Sequence, residues 1–173
     1  MKNKIVPEMF KVLKRWETCV LKAYRDTDGS WHVGYGSGNA TGNHHVDENT
    51  ELKDEAEALS WLTTDLNDHY APQLNTILEV EGISVNDHEY SALLDILYNR
   101  GAKRLRNSAA LNWLKRTGEK NYRAEACAAI VFSNVEGFMP LNVAQDRVTG
   151  IDRVYLGLTL RRIDDANLFQ FKP

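Results

Sequence analysis

Residues 16–36, WETCVLKAYRDTDGSWHVGYG, constrain the fold of this chain most, because they carry a hairpin signal ahead of a long run patterned for helices. The stretch Ala23–Tyr35 turns back at Thr27-Asp28-Gly29. A three-residue loop of this kind is a type I turn closed by a glycine in the left-handed region, and Gly29 stands at that third position. In this register Asp26 pairs with Ser30 and Tyr24 with His32. Directly paired side chains share a face of the ribbon, and the face alternates with every residue. Asp26 and His32 therefore point the same way. A two-residue Asp-Gly turn would set them on opposite faces.

A first helix is expected over about residues 5–17, with Met9, Leu13, Trp16, Glu17 and Val20 on one stripe. A carboxyl beside an apolar face loses hydration, which raises its pKa and suits it to give up a proton near neutral pH. Glu17 is the candidate. After a polar loop, Ser37–Asn49, helical spacing dominates. Residues 54–70 carry Ala58, Leu59, Leu62 and Leu66, and Pro72 predicts a kink or break before a shorter helix to Leu78. Asn86 followed by Glu89 reads as a helix start and Gly101 as a stop, with Tyr90, Leu93, Leu94 and Leu97 facing a core. Further helices are expected over Ser108–Gly118, 121–132 and 159–169. Strands first and helices afterwards make an α+β protein with its small sheet at one end.

A length of 173 residues, 43% hydrophobic and 26% charged, fits one soluble globular domain. No apolar run reaches the roughly 20 residues that span a bilayer, and MKNKIVPEMF lacks a signal-peptide core, so a cytoplasmic protein is expected. Cys19 and Cys127 fit no metal or disulfide spacing and read as free thiols. A net charge of −3 argues against nucleic acid as the main partner. One stretch is locally basic: Arg100, Lys103, Arg104, Arg106, Lys115 and Arg116, read either as a solvated helix surface or as a patch for anionic glycan or lipid.

Two carboxylic acids of different character on either side of a hairpin are what cleavage of a glycosidic bond requires. The spacing Glu17-x8-Asp26-x5-His32 and the trailing Gly-Tyr-Gly closely resemble bacteriophage lysozymes, the endolysins of glycoside hydrolase family 24. YSALLDILYNRG (90–101), RNSAALNWL (106–114) and GLTLRRIDDANLF (157–169) are similar to later elements of that family. The resemblance implies a lysozyme-like fold, in which a sheet-bearing lobe (about 1–60, with a linking helix) and a helical lobe (about 80–173) of one catalytic domain enclose a cleft. It implies Glu17 as general acid and Asp26 as the ionised, water-orienting partner. By position it carries over Tyr98, Asn107 and Ser108 as substrate contacts. Over about residues 135–153 no element of the family can be placed.

Two departures stand out: the family's threonine is His32, and the histidine that commonly follows Gly-Tyr-Gly is Ser37. An imidazole at that place has three outcomes open to it. It acts as general base for water, it attacks the anomeric carbon or favours another acceptor and so retains configuration, or it abolishes activity. Other constellations are weaker. His44-His45-x-Asp47 lacks a third ligand cluster for a metal, and Cys19 with His32 would be a thiol hydrolase whose cysteine sits at the wrong end of a helix. The resemblance implies cleavage of the β-1,4 bond between N-acetylmuramic acid and N-acetylglucosamine in peptidoglycan, without cofactor or metal. A monomer is expected, held in the host cytoplasm and released by a holin to act on the periplasmic wall. Two alternatives stand beside it: a retaining, transglycosylating muramidase, and a catalytically silent wall-binding or virion structural module of the same fold.

Overall fold

The structure is a computed structural model that describes residues 3–132, 137–145 and 152–170. It divides into two compact units, one of residues 13–73 and one of residues 1–12 with 74–173.

Helix α1 (Pro7–Trp16) opens on a proline, whose missing N–H costs nothing in a first turn. Met9 and Leu13 of the expected stripe are fully buried, while Trp16, Glu17 and Val20 are half-buried. In the 13–73 unit, β1 (Val20–Arg25), β2 (Trp31–Gly34) and β3 (Ser37–Gly38) form an antiparallel sheet in that order. The expected loop is present. Gly29 N–H donates to the Asp26 carbonyl at 2.9 Å, Asp26 N–H to the Ser30 carbonyl at 2.9 Å, and Tyr24 pairs with His32. Gly29 has φ +88°, the left-handed conformation that closes the turn.

The polar loop expected from Ser37 begins instead with strand β3, whose two residues are buried against β2. A strand of two residues leaves no periodic trace in sequence. The loop that follows is tied down by one carboxylate. Asp65, 1% exposed, accepts hydrogen bonds from Thr41 Oγ1 at 2.7 Å and Asn43 Nδ2 at 3.0 Å.

Helix α2 (Glu55–Asp65) is capped by Asp54, which accepts from Glu57 N–H at 2.9 Å. It runs through a wide π turn (Leu66–Tyr70) into α3 (Ala71–Val80). The kink or break expected at Pro72 takes the form of this widened turn. Proline has no N–H for the carbonyl four residues back, and the preceding turn widens so that Ala71 N–H reaches the Leu66 carbonyl.

In the other unit, Asn3 Nδ2 donates to the Val85 carbonyl at 2.8 Å and Val6 N–H to Ser91 Oγ at 2.9 Å. Helix α4 (Asp87–Arg106) starts at the expected capping box, with Asn86 and Glu89 each accepting the other's backbone N–H. Gly101, at φ +76° and ψ 161°, interrupts it where a stop was read. Tyr90, Leu93, Leu94 and Leu97 are buried. Helices α5 (Ala109–Leu114), α6 (Tyr122–Val131) and α7 (Leu156–Gln170) complete the unit. Arg161 on α7 grips Asp95 on α4 through two 2.9 Å hydrogen bonds, and Arg162 pairs with Asp165 at 2.7 Å, all four side chains being buried.

Strands β4 (Val143–Gln145) and β5 (Asp152–Val154) pair antiparallel in and just beyond the stretch, about 135–153, where no family motif can be placed in the sequence; residues 135–136 and 146–151 of it lie outside the described ones. Two cations of the basic run serve this segment. Arg100 donates to the Val143 carbonyl, and Arg104 to the Pro140 carbonyl at 2.8 Å. Lys115 pairs with Glu81, and Arg116 with Glu119 while lying over the Trp113 ring. Lys103 and Arg106 are left on the surface. Among the described residues no helix is long and apolar enough to cross a membrane.

Candidate active site

Glu17, Asp26 and His32 all belong to the 13–73 unit. Glu17 follows the last turn of α1, its N–H bonded to the Leu13 carbonyl at 2.8 Å, and its side chain is half-buried. Asp26 is exposed at the turn, where Oδ1 accepts from Thr27 N–H at 2.6 Å and from Thr27 Oγ1 at 3.2 Å. These bonds hold the carboxylate still. Both acids act on one phenol: burial, then the charges of Asp26 and Glu17, push the Tyr24 hydroxyl above its ordinary pKa. Burial, then the charge of Asp65 and lastly that of Glu17, push the Tyr70 hydroxyl up as well.

His32 is half-buried, its ring 6.1 Å from that of Tyr24. Nδ1 lies 3.0 Å from the Gly36 carbonyl and Nε2 2.7 Å from Ser30 Oγ. Gly38 on β3 makes room for the ring, since a Cβ there would stand 3.0 Å from Nδ1 and 2.9 Å from the Trp31 carbonyl. Ser30 in turn gives Asp28 Oδ1 its N–H at 2.9 Å and its hydroxyl at 2.5 Å. Those two bonds hold the Asp28 carboxyl below the ordinary range, with a smaller contribution from His32. Sequence reasoning singled out neither Asp28 nor Ser30 for the site. A partial signal was there: Ser30 and His32 stand two residues apart leading into β2, whereas Asp28 lies in the turn, where strand alternation does not reach.

A model of the family described as phage lysozyme matches residues 14–162, which include all of this site. The chain belongs to the phage lysozyme family. Solved structures share its fold. The muramidase domain of SpmX from Asticaccaulis excentricus superposes with a TM-score of 0.76 at 20% identity, over 98% of this chain and 99% of that one. Phage P22 lysozyme gives 0.65 at 24% identity, over 96% and 97%. The endolysin of Escherichia coli O157:H7 phage FAHEc1 gives 0.66 at 17%, over 96% and 93%. No curated protein sequence matches the chain. Membership of the phage lysozyme family supports peptidoglycan hydrolysis as the class of activity.

Tyr98, Asn107 and Ser108 belong to the other unit, whereas His44, His45 and Cys19 belong to the 13–73 unit. Tyr98 is half-buried on α4, and Asn107 is exposed at its C-terminus, its amide bonded to the Lys103 carbonyl at 2.8 Å. Ser108 is fully buried: its hydroxyl accepts from Leu111 N–H at 3.2 Å and donates to the Leu105 carbonyl at 2.8 Å. It caps α5, and the expectation of a substrate contact from its hydroxyl gives way to that role. His44 stacks flat on Trp61, with ring centroids 4.1 Å apart, and turns to Asp65, whereas His45 faces Asp47. The two imidazoles diverge, so they do not begin a metal site. Asp26, Asp28 and His32 do offer ligand atoms within 4.8 Å of one another, but Thr27 and Ser30 already engage all three side chains, and we read the trio as a hydrogen-bonded turn. The Cys19 thiol is pushed up by burial and by the charge of Glu55, the opposite of what a thiolate nucleophile needs.

Proposed function

We propose that this chain is a muramidase that cuts the β-1,4 bond between N-acetylmuramic acid and N-acetylglucosamine in peptidoglycan, serving host-cell lysis after holin-dependent release from the cytoplasm. The observation that carries this reading is the phage lysozyme family match over residues 14–162, which spans Glu17, Asp26 and His32, with His32 paired across the ribbon from Tyr24. Glu17, at the rim of an apolar stripe, gives its proton to the departing glycosidic oxygen. Asp26, exposed and held by Thr27, stays negative and steadies the oxocarbenium-like centre. His32 takes a proton from the attacking water. Tyr98 and Asn107 are proposed to contact the glycan by analogy with the family.

Clearing of permeabilised Gram-negative cells tests the reading. The wild type clears the suspension, and Glu17→Gln lowers the rate at least about 100-fold, as expected for loss of a general acid. Intact clearing by Glu17→Gln, or binding to sacculi without any wild-type clearing, overturns it. The second outcome would leave a silent wall-binding module. The anomer released first separates the two chemistries of His32: α product is expected from water attack, and β product would mark a covalent or substituted route.

A further inference from the structure

The hydrogen bonds of His32 give each ring nitrogen a fixed partner. The Gly36 carbonyl can only accept, so Nδ1 carries a hydrogen. Asp28, as a carboxylate, can also only accept, and it takes the single hydroxyl hydrogen of Ser30 across 2.5 Å. That leaves Ser30 Oγ no hydrogen to offer Nε2. The 2.7 Å contact between them is then a hydrogen bond only if Nε2 is the donor. The same contacts admit two arrangements: both ring nitrogens donate while Asp28 takes the Ser30 hydrogen, or the hydroxyl turns to Nε2.

We propose that Asp28 and Ser30 are positioning residues that set the charge state of His32, the Ser30 hydroxyl acting as a switch with two positions. It points to Asp28 while the imidazole is charged and turns to Nε2 once the imidazole is neutral. Asp28 keeps the Ser30 N–H at 2.9 Å in either position, so neither state strands a charge. In the neutral state the hydroxyl covers the Nε2 lone pair, and water or a sugar oxygen must displace it before the ring can act as base. The other groups around the ring are few. Tyr24 faces it from β1, Asp26 adds negative charge from the turn, and β3 brings only Gly38 and Ser37. Helix α2 packs on β2, but its Glu55 is engaged by Lys14 and Tyr35. The consequence for catalysis rests on the muramidase reading; the proton linkage itself does not.

Nitrogen-15 spectra of the His32 ring, followed against pH in the intact protein, test the linkage without any assay of lysis. An opposite charge nearby shifts a pKa by roughly 1–3 units, and an exposed turn belongs at the low end, so Asp28→Asn is expected to lower the His32 midpoint by about one pH unit, a tenfold loss of proton affinity. Ser30→Ala lowers it by a smaller amount, and Ser30→Thr, which keeps the hydroxyl, restores it. Both positions are exposed, and the backbone spectra of the variants report an intact hairpin. A midpoint unmoved in Asp28→Asn, or moved equally by Ser30→Ala and Ser30→Thr, overturns the proposal. Cell-clearing profiles against pH then separate the two readings. A midpoint that moves while the lytic profile stays put upholds the linkage and removes His32 from the reaction.

Discussion

Replacing Asp95 by asparagine tests what joins α4 to α7. The wild-type carboxylate is completely buried and meets Arg161, 3% exposed, through two parallel 2.9 Å hydrogen bonds, with Arg162 Nη2 3.8 Å away. Asparagine keeps the shape but loses the charge, and it turns an amide N–H₂ toward a guanidinium that can only donate. Breaking a buried pair from one side costs roughly 3–5 kcal/mol, because it upsets the charge balance of a buried network that also holds Arg162 and Asp165. Unfolding entropy of roughly 2.1 cal/mol/K per residue gives about 0.36 kcal/mol/K for 173 residues, so a loss of about 4 kcal/mol lowers the melting temperature by about 11 °C. Scanning calorimetry at pH 7 reads this directly. The pH dependence follows from the same contacts. Burial pushes the Asp95 carboxyl up, but the charge and hydrogen bonds of Arg161, a hydrogen bond with Asp165 and the charge of Arg162 together hold the group below its ordinary value. A carboxyl depressed on folding stabilises above its unfolded pKa, about 3.9, and loses that contribution as pH falls through its folded one. The gap between wild type and variant should therefore be full at neutral pH and shrink below about pH 4. The double variant Asp95→Leu/Arg161→Met, which removes both charges, should lie above the single one. A melting temperature within about 3 °C of wild type, equivalent to roughly 1 kcal/mol, would refute the argument.

Three smaller perturbations follow from other contacts. Asn86→Ala removes one half of the α4 capping box and should cost about 1 kcal/mol, read as a lower urea midpoint at unchanged slope. Gly34→Ala places a Cβ 3.1 Å from that of Ala58 and 3.2 Å from Leu52 Cδ1 on a residue at φ +65°, so a loss of at least about 1 kcal/mol is expected in the same experiment. Asp65→Ala leaves the side chains of Thr41 and Asn43 without their buried acceptor; faster hydrogen exchange at residues 39–46, with α4 amides unchanged, is the expected signature.

What the sequence determined by itself was whatever depends on neighbours along the chain. The turn closed by Gly29, the register that pairs Tyr24 with His32, the Asn86–Glu89 cap and the interruption at Gly101 all rest on backbone geometry within a few residues, and all stand as read. Ser30 and His32, two residues apart, were legible in the same way, whereas the hydrogen bonds of Asp28 to Ser30 belong to the turn. Only tertiary structure could decide the rest, because the partners lie far apart. Asp65 finds Thr41 and Asn43 more than twenty residues back, Asp95 finds Arg161 66 residues on, and Arg100 reaches the Val143 carbonyl across 43. The two-residue β3 and the β4–β5 pair are too short to leave a periodic pattern, and they form where packed residues hold them. Ser108 shows the same limit from the other side. A serine ahead of a helix reads alike whether its hydroxyl meets solvent or is sealed beneath Leu105 and Leu111, since burial is a property of the packed chain and not of the segment that enters it.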